Sequence, residues 1–353
     1  MSETNPNEKL NKASLEFILK QLIKKREIYG AVVHIASGNN TVDLISSSGN
    51  IREDSQYYIA SINKLFISAI TLRLYEEKVI DLNDKISNFL PEEIIRGLHV
   101  YKGKDFSYDI TIQHLISQTS GLPCYLIDKQ KNGKTAMTEL ESGIDQAWPI
   151  DRVIKEVKMM KTHFPPGKKK HARYIDTNHQ LLSLILEKVT GEPINSILNK
   201  LFNELNLKRT YVYENIDNLD FIPVRYKSKI IDIPQYLAST KNDIISTARD
   251  QMMFLKAFFN GYFFPEERME ELKRWNNIFF PFKYGIGIQM FRLPRLLSPF
   301  RNVPDMLGHC GSTGSVVFFM PALDLYITGT INQQSRPNLA FQTIIKIISK
   351  LEL

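Results

Sequence analysis

The apolar positions of this chain change rhythm along its length. Between residues 9 and 28, Leu10, Leu15, Ile18, Leu19, Leu22 and Ile23 recur at helical spacing until Gly30 breaks the pattern, which predicts an amphipathic first helix. The stretches Ala31 to Ala36 and Val42 to Ser47 then read as strands, joined through Gly38, Asn39 and Asn40, a composition that suits a tight hairpin turn. Residues 61 to 78 carry Leu65, Phe66, Ile67, Ala69, Ile70, Leu72 and Leu74 with almost no polar face, the mark of a buried helix.

From about 82 to 275 helical patterns dominate, interrupted by loops such as Phe164 to Gly167 and the turn Ser120 to Pro123. One helix is predicted from Thr177 to Thr190, with Gly191 as its C-terminal cap. Strand character returns in Tyr284 to Phe291, Ser315 to Met320 and Leu325 to Ile331, before a last amphipathic helix from 338 to 351. Strands at both ends and helices between predict an α+β fold. It is one antiparallel sheet built from both termini and flanked by the terminal helices, with an all-helical domain inserted. The expected boundaries are 9–82 with 276–353 for the sheet domain, and 83–275 for the mainly helical one.

Length and composition narrow the function. With 353 residues, 43% of them hydrophobic, the chain can bury a substantial core. It has no run of about 18 apolar residues, and Met1 to Lys12 lacks the apolar stretch of a secretory signal, so the expectation is a cytoplasmic protein without an integral membrane segment. Cys124 and Cys310 are expected to be free thiols. The net charge of +7 is modest and comes from scattered lysines, weak evidence for nucleic acid, and no nucleic-acid partner is expected. The densest basic run, Lys168 to Arg173, reads as a solvated loop, although its place beside Tyr174 leaves an anion site at the rim open. The histidines show no zinc-binding spacing, G-x-S-x-G is absent, and Gly308 to Gly314 fits neither the dinucleotide nor the phosphate-loop pattern; no metal and no cofactor are expected.

Three segments can carry chemistry. Ser61 and Lys64 stand three apart at the start of the buried helix, where i and i+3 side chains are neighbours, and a desolvated lysine can take the proton of a serine nucleophile. Alone, that spacing fits a capping serine with a surface lysine more often. Tyr174 precedes the helix at 177 with Asp176 two residues on; a tyrosine facing an ammonium can relay protons, or the pair can be a packed ring and a helix cap. His309, Cys310, Gly311 and Ser312 precede an apolar strand; such a segment can line a cleft and offer a backbone N–H and an imidazole, or be an ordinary turn.

In this order, Ser61-x-x-Lys64, Tyr174-x-Asp176 and His309-x-Gly311 resemble the serine β-lactamase and penicillin-binding-protein superfamily, particularly its class C-like esterase and D-peptidase branch. Ser117 to Pro123 and Tyr174 to Gly191 look like flanking segments of that family, and the likeness runs from about residue 10 to the C-terminus. The resemblance implies the β-lactamase/DD-peptidase-like fold with its active site between the domains. It implies Ser61 as acyl-accepting nucleophile, Lys64 and Tyr174 as general base and proton relay, and the amides of Ser61 and Ser312 as the oxyanion hole. Asp176, His309 and Gly311 fall at the substrate-binding positions. Where the family often has Asn, this chain has Asp176; where penicillin-processing members often have Lys, it has His309. Both changes shift the expected substrate from carboxylate-bearing lactams toward a small ester or amide. A β-lactamase or D-peptidase is the alternative, and a non-catalytic binding protein of the same fold a further one.

Overall fold

The computed structural model describes residues 10–294, 296 and 303–351. Its largest element is an eight-stranded antiparallel sheet. Two strands come from the N-terminal part, β1 (Gly30–Ser37) and β2 (Asp43–Gly49). Six come from the C-terminal part: β3 (Asn276–Phe279), β4 (Phe282–Tyr284), β5 (Gln289–Phe291), β6 (Met306–Cys310), β7 (Ser315–Met320) and β8 (Leu325–Thr330). The order is β3-β4-β5-β6-β7-β8-β1-β2, so the two ends of the chain meet where Val32 pairs with Thr330.

Every residue of β1 is buried because both faces of the sheet are covered. On one face lie α1 (Lys12–Leu22), capped by Asn11, and a C-terminal helix of residues Asn338–Ile348, whose Leu15, Leu19, Ile344 and Ile347 pack on Val33, Ile35, Phe318 and Ile327. Alternation along β1 turns Val32 and Ala36 to the other core. That core holds α2 (Asn63–Glu76), α3 (Asp176–Thr190) and α4 (Ala248–Phe259); α4 packs against β1, β7 and β8, and α3 against α2. The C-terminal helix is α5. Gly191 ends α3 at φ +74°, its N–H donating to the Glu187 carbonyl, as a C-terminal cap should.

Several local expectations change. The stretch Tyr284 to Phe291 is a hairpin, β4 and β5, because Gly285 to Ile288 turn into the helical part of the molecule: the N–H groups of Ile286 and Gly287 donate to the carbonyls of Leu272 and Ile116. Gly287 has φ +76°, and a Cβ there would lie 2.9 Å from that of Ser68. The first helix stops at Leu22, and the buried helix begins after a 3-10 turn over Ala60–Ile62. The inserted part is mainly but not wholly helical. It carries the hairpins Val100–Tyr101 with Lys104–Asp105 and Val224–Tyr226 with Lys229–Ile231, and Ile244–Ser246 bridges Tyr57–Tyr58 to Tyr211–Val212. Among the described residues no helix is long and apolar enough to cross a membrane. Cys124 and Cys310 are free thiols.

Candidate active site

A change of chain direction delivers Ser61 to a cavity of about 580 Å3. Tyr57–Tyr58 is held as a short strand, Ala60 takes φ +50°, a left-handed value that costs a residue with a Cβ, and the 3-10 turn carrying Ser61 runs into α2. The turn between β6 and β7 clamps this approach. Thr313 Oγ1 donates to the Tyr58 carbonyl (3.2 Å) and Ser315 Oγ to the Ile59 carbonyl (2.9 Å). Gly311 permits the closeness, since a Cβ there would collide with the Ile59 carbonyl oxygen and Ser315 Oγ.

One helical turn beyond Ser61, Lys64 is 4% exposed; its Nζ donates to Ser61 Oγ at 3.1 Å and lies 2.6 Å from Asp176 Oδ1. Asp176 is the first residue of α3, and its carboxylate also accepts from Cys124 Sγ at 3.1 Å. It therefore serves the lysine, not the helix end. Burial works to lower the Lys64 pKa, but the charge and hydrogen bond of Asp176 outweigh it and the net movement is upward. The contact with Asp176 therefore favours an ammonium in an ion pair over a lysine made basic by desolvation.

Tyr174 is aimed by the loop before α3, whose backbone is braced by Gln118: its Oε1 accepts from the Ile175 N–H (2.9 Å) and Asn178 Nδ2 (3.0 Å), and its carbonyl from the Arg173 N–H (3.0 Å). The Lys64 ammonium stands 5.4 Å from the centre of the Tyr174 ring. The phenol hydroxyl is buried with no well-formed hydrogen bond. Burial first, and then the Asp176 charge, push its pKa well above the ordinary value, with the Ser61 hydroxyl pulling the other way. Both shifts favour the protonated forms of lysine and tyrosine.

Gly311, Ser312 and Cys310 line the cavity with Ser61, Lys64, Tyr174 and Asp176; His309 does not. Strand alternation turns the His309 ring beneath the site, where it packs on Tyr174 and Tyr284 with centroids 6.0 and 5.8 Å away and is 0% exposed. Its Nδ1 lies 2.8 Å from the Cys310 carbonyl, and burial followed by the Lys64 charge pushes its pKa down to about 3. His309, expected at a substrate-binding position, is thus placed under the Tyr174 ring and outside the cavity lining. β5 stops pairing at Gln289 opposite Gly308, so the strand beyond is a local edge. Among the described residues the Ser312 amide makes no hydrogen bond.

The basic run lies elsewhere. Lys168 to His171 are exposed and outside the cavity lining, and Arg173 pairs with Asp128 at 2.5 Å. Residues that sequence reasoning passed over complete the walls: His179, Tyr58, Asn63, Tyr125, Tyr236 and Asp243, with Phe279, Phe282, Phe291 and Phe341 at the apolar end. His179 was legible, one turn after Asp176 on the same face of α3. Among the described residues no group of side chains could hold a metal ion.

The chain is 24% identical over 227 residues to the putative penicillin-binding protein PbpX of Bacillus subtilis (strain 168), taking in 62% of this chain and 50% of that protein; it spans half the length of that relative. Among solved structures, the D-stereospecific amidohydrolase from Streptomyces sp. superposes with a TM-score of 0.76 at 22% identity, covering 96% of this chain and 98% of the other. The D-amino acid amidase from Ochrobactrum anthropi SV3 gives 0.77 at 19% identity, covering 96% and 100%. These likenesses speak to the fold. The Beta-lactamase family matches residues 15–349, from the first helix to the last and through every segment that meets at Ser61, and the chain belongs to that family.

Proposed function

We propose that this protein is a serine hydrolase that cleaves a small amide or ester through an acyl-enzyme on Ser61. The observation that carries the reading is the Lys64 ammonium 3.1 Å from Ser61 Oγ in a cavity that also presents Tyr174. With Lys64 held as an ammonium, its part is to stabilise charge growing on Ser61 Oγ by a charged hydrogen bond. Tyr174 acts as the relay: as the Ser61 Oγ–carbon bond forms, the serine proton passes to the phenol oxygen and the phenol proton to the leaving group, so no free phenolate is needed. Water reverses the exchange in deacylation. The amides of Ser61 and Ser312 serve as the oxyanion hole. The neighbours named an amidohydrolase and an amidase favour amide or ester carbonyls as the target.

Labelling by a fluorophosphonate and turnover of p-nitrophenyl acetate test the reading. Wild type should show both and Ser61→Ala neither; equal labelling and turnover in the mutant would overturn it. A penicillin-processing role is the second reading, raised by the relative named a penicillin-binding protein. Against it, the charged side chains described around the cavity are Lys64, Asp176 and Asp243, which leave no spare cation for a carboxylate. Fluorescent penicillin should fail to label Ser61.

A further inference from the structure

The proposed chemistry leaves one wall of the cavity without a task. Past Lys64 it is built by Tyr58, Asn63, Tyr125, Tyr236 and Asp243. Asp243 is 4% exposed and accepts from the Tyr58 hydroxyl (2.7 Å) and from Thr240 Oγ1 (2.7 Å). A carboxylate has about four lone-pair sites, so two remain. Asn63, 8% exposed, gives its Nδ2 to the Asn242 carbonyl (3.1 Å) and leaves its Oδ1 buried without a partner. His179, 3% exposed, has neither ring nitrogen partnered, and burial followed by the Lys64 charge keeps it neutral.

Charge and hydrogen bonding here lack the same thing. Lys64 and Asp176 cancel, and Asp243 is the carboxylate left over, inside a protein whose net charge is +7. Burial pushes its pKa up to about 6 against the opposing bonds from Tyr58 and Thr240, so above that pH it is a buried anion with no cation of its own. Asp243 and Asn63 Oδ1 offer free acceptors on this wall. A quaternary ammonium would match the charge and leave them unpaired, whereas a primary ammonium brings three donors.

We propose that this wall is a subsite for a primary ammonium on the substrate, with Asp243 as its charge partner and Asn63 Oδ1 as a second acceptor. The proposal rests on the serine-hydrolase reading for its consequence, a preference for amine-bearing amides or esters over uncharged or carboxylate analogues. The aromatic end of the cavity would take the apolar part of such a molecule.

Two arms keep the subsite and the chemistry apart. In the first, calorimetry on the whole protein compares 2-phenylethylamine with 2-phenylethanol and phenylacetate. Wild type should bind the amine about tenfold tighter or more at pH 8, and Asp243→Asn should lose that preference; equal affinities, or a preference kept by the variant, would overturn the subsite whether or not anything is hydrolysed. Should the variant fail to fold, wild type is titrated between pH 5 and 8. The preference should fade as Asp243 takes up its proton near pH 6: of the other groups facing it, Lys64, which is paired with Asp176, and Tyr58, Tyr125 and Tyr236 are shifted upward and His179 downward, away from that range. A preference constant across that range would count against it. In the second arm, the 4-nitroanilides of D- and L-phenylalanine are compared with that of 3-phenylpropionate, and the ratio of their kcat/KM values should fall about tenfold or more in Asp243→Asn. Amine binding without any hydrolysis would refute the chemistry and leave the subsite standing.

Discussion

Asp176 acts on both groups that a proton leaving Ser61 can reach. It pairs with Lys64 at 2.6 Å and its charge raises the Tyr174 pKa, so one carboxylate holds ammonium and phenol protonated together. Asp176→Asn removes that influence from both, and burial then acts on Lys64 unopposed by its main partner, favouring the free amine. Because the ammonium is the working form in the proposed mechanism, with an uncharged ester as substrate the fall of kcat/KM at high pH should move to lower pH in the variant; superimposable profiles would show that Asp176 does not govern the protons. Ser61, Lys64 and Tyr174 were legible because a helical step and the order of three short segments are local properties of the chain. Asp243 was not: it meets Tyr58 across 185 residues, and no spacing rule reaches that far.

At the level of elements, the site depends on how closely the β6–β7 turn approaches the strand entering Ser61. Gly311→Ala puts a methyl group against the Ile59 carbonyl and Ser315 Oγ, and the turn must back away with the Ser312 amide. The expected result is a fall in kcat of about a hundredfold or more with a lowered Tm; an unchanged kcat would sever that amide from catalysis. Elements with an unbroken rhythm, such as α2, α3 and β7, were legible. β6 was legible only as one of two readings, a sheet edge or a turn, because Gly308 sits inside it, where a side chain would strike the Val317 carbonyl. The β4–β5 hairpin was hidden for the opposite reason: Ile286 and Ile288 continue the apolar run while the backbone reverses.

For the whole molecule, burial of neutral histidines sets the response to acid. His309 is pushed down to about 3 and His114 to about 4, the latter by burial and then by Lys85. The unfolded chain binds protons on these rings below about pH 6.5 while the folded one refuses them, so stability present above that pH is lost as it falls toward 4. Asp243 acts with the opposite sign, its raised folded pKa favouring the fold as pH drops from about 6 toward 4. His179, His99 and His34 are lowered too, which leaves the histidines dominant. Tm should be highest near neutrality and fall steeply between pH 6.5 and 4 in calorimetry. A flat Tm over that range would contradict the burial of these rings. The division into a sheet from both ends and a helical middle was legible because periods of 2 and 3.6 differ over long stretches.

The pairing of Val32 with Thr330 also constrains how the chain is made. β1 is buried along its whole length, yet the strand that covers its inner edge lies about 300 residues later. During synthesis β1 and β2 can form their hairpin at once, but its apolar edge stays open until β8 has left the ribosome, at roughly 5–20 residues per second a wait of about fifteen seconds to a minute. The helical middle, richer in local contacts, has time to fold inside that interval. Its nascent form is therefore an assembled lobe preceded by a hairpin with one open edge, a species that calls on chaperones and is prone to exchange strands with a second copy at high expression.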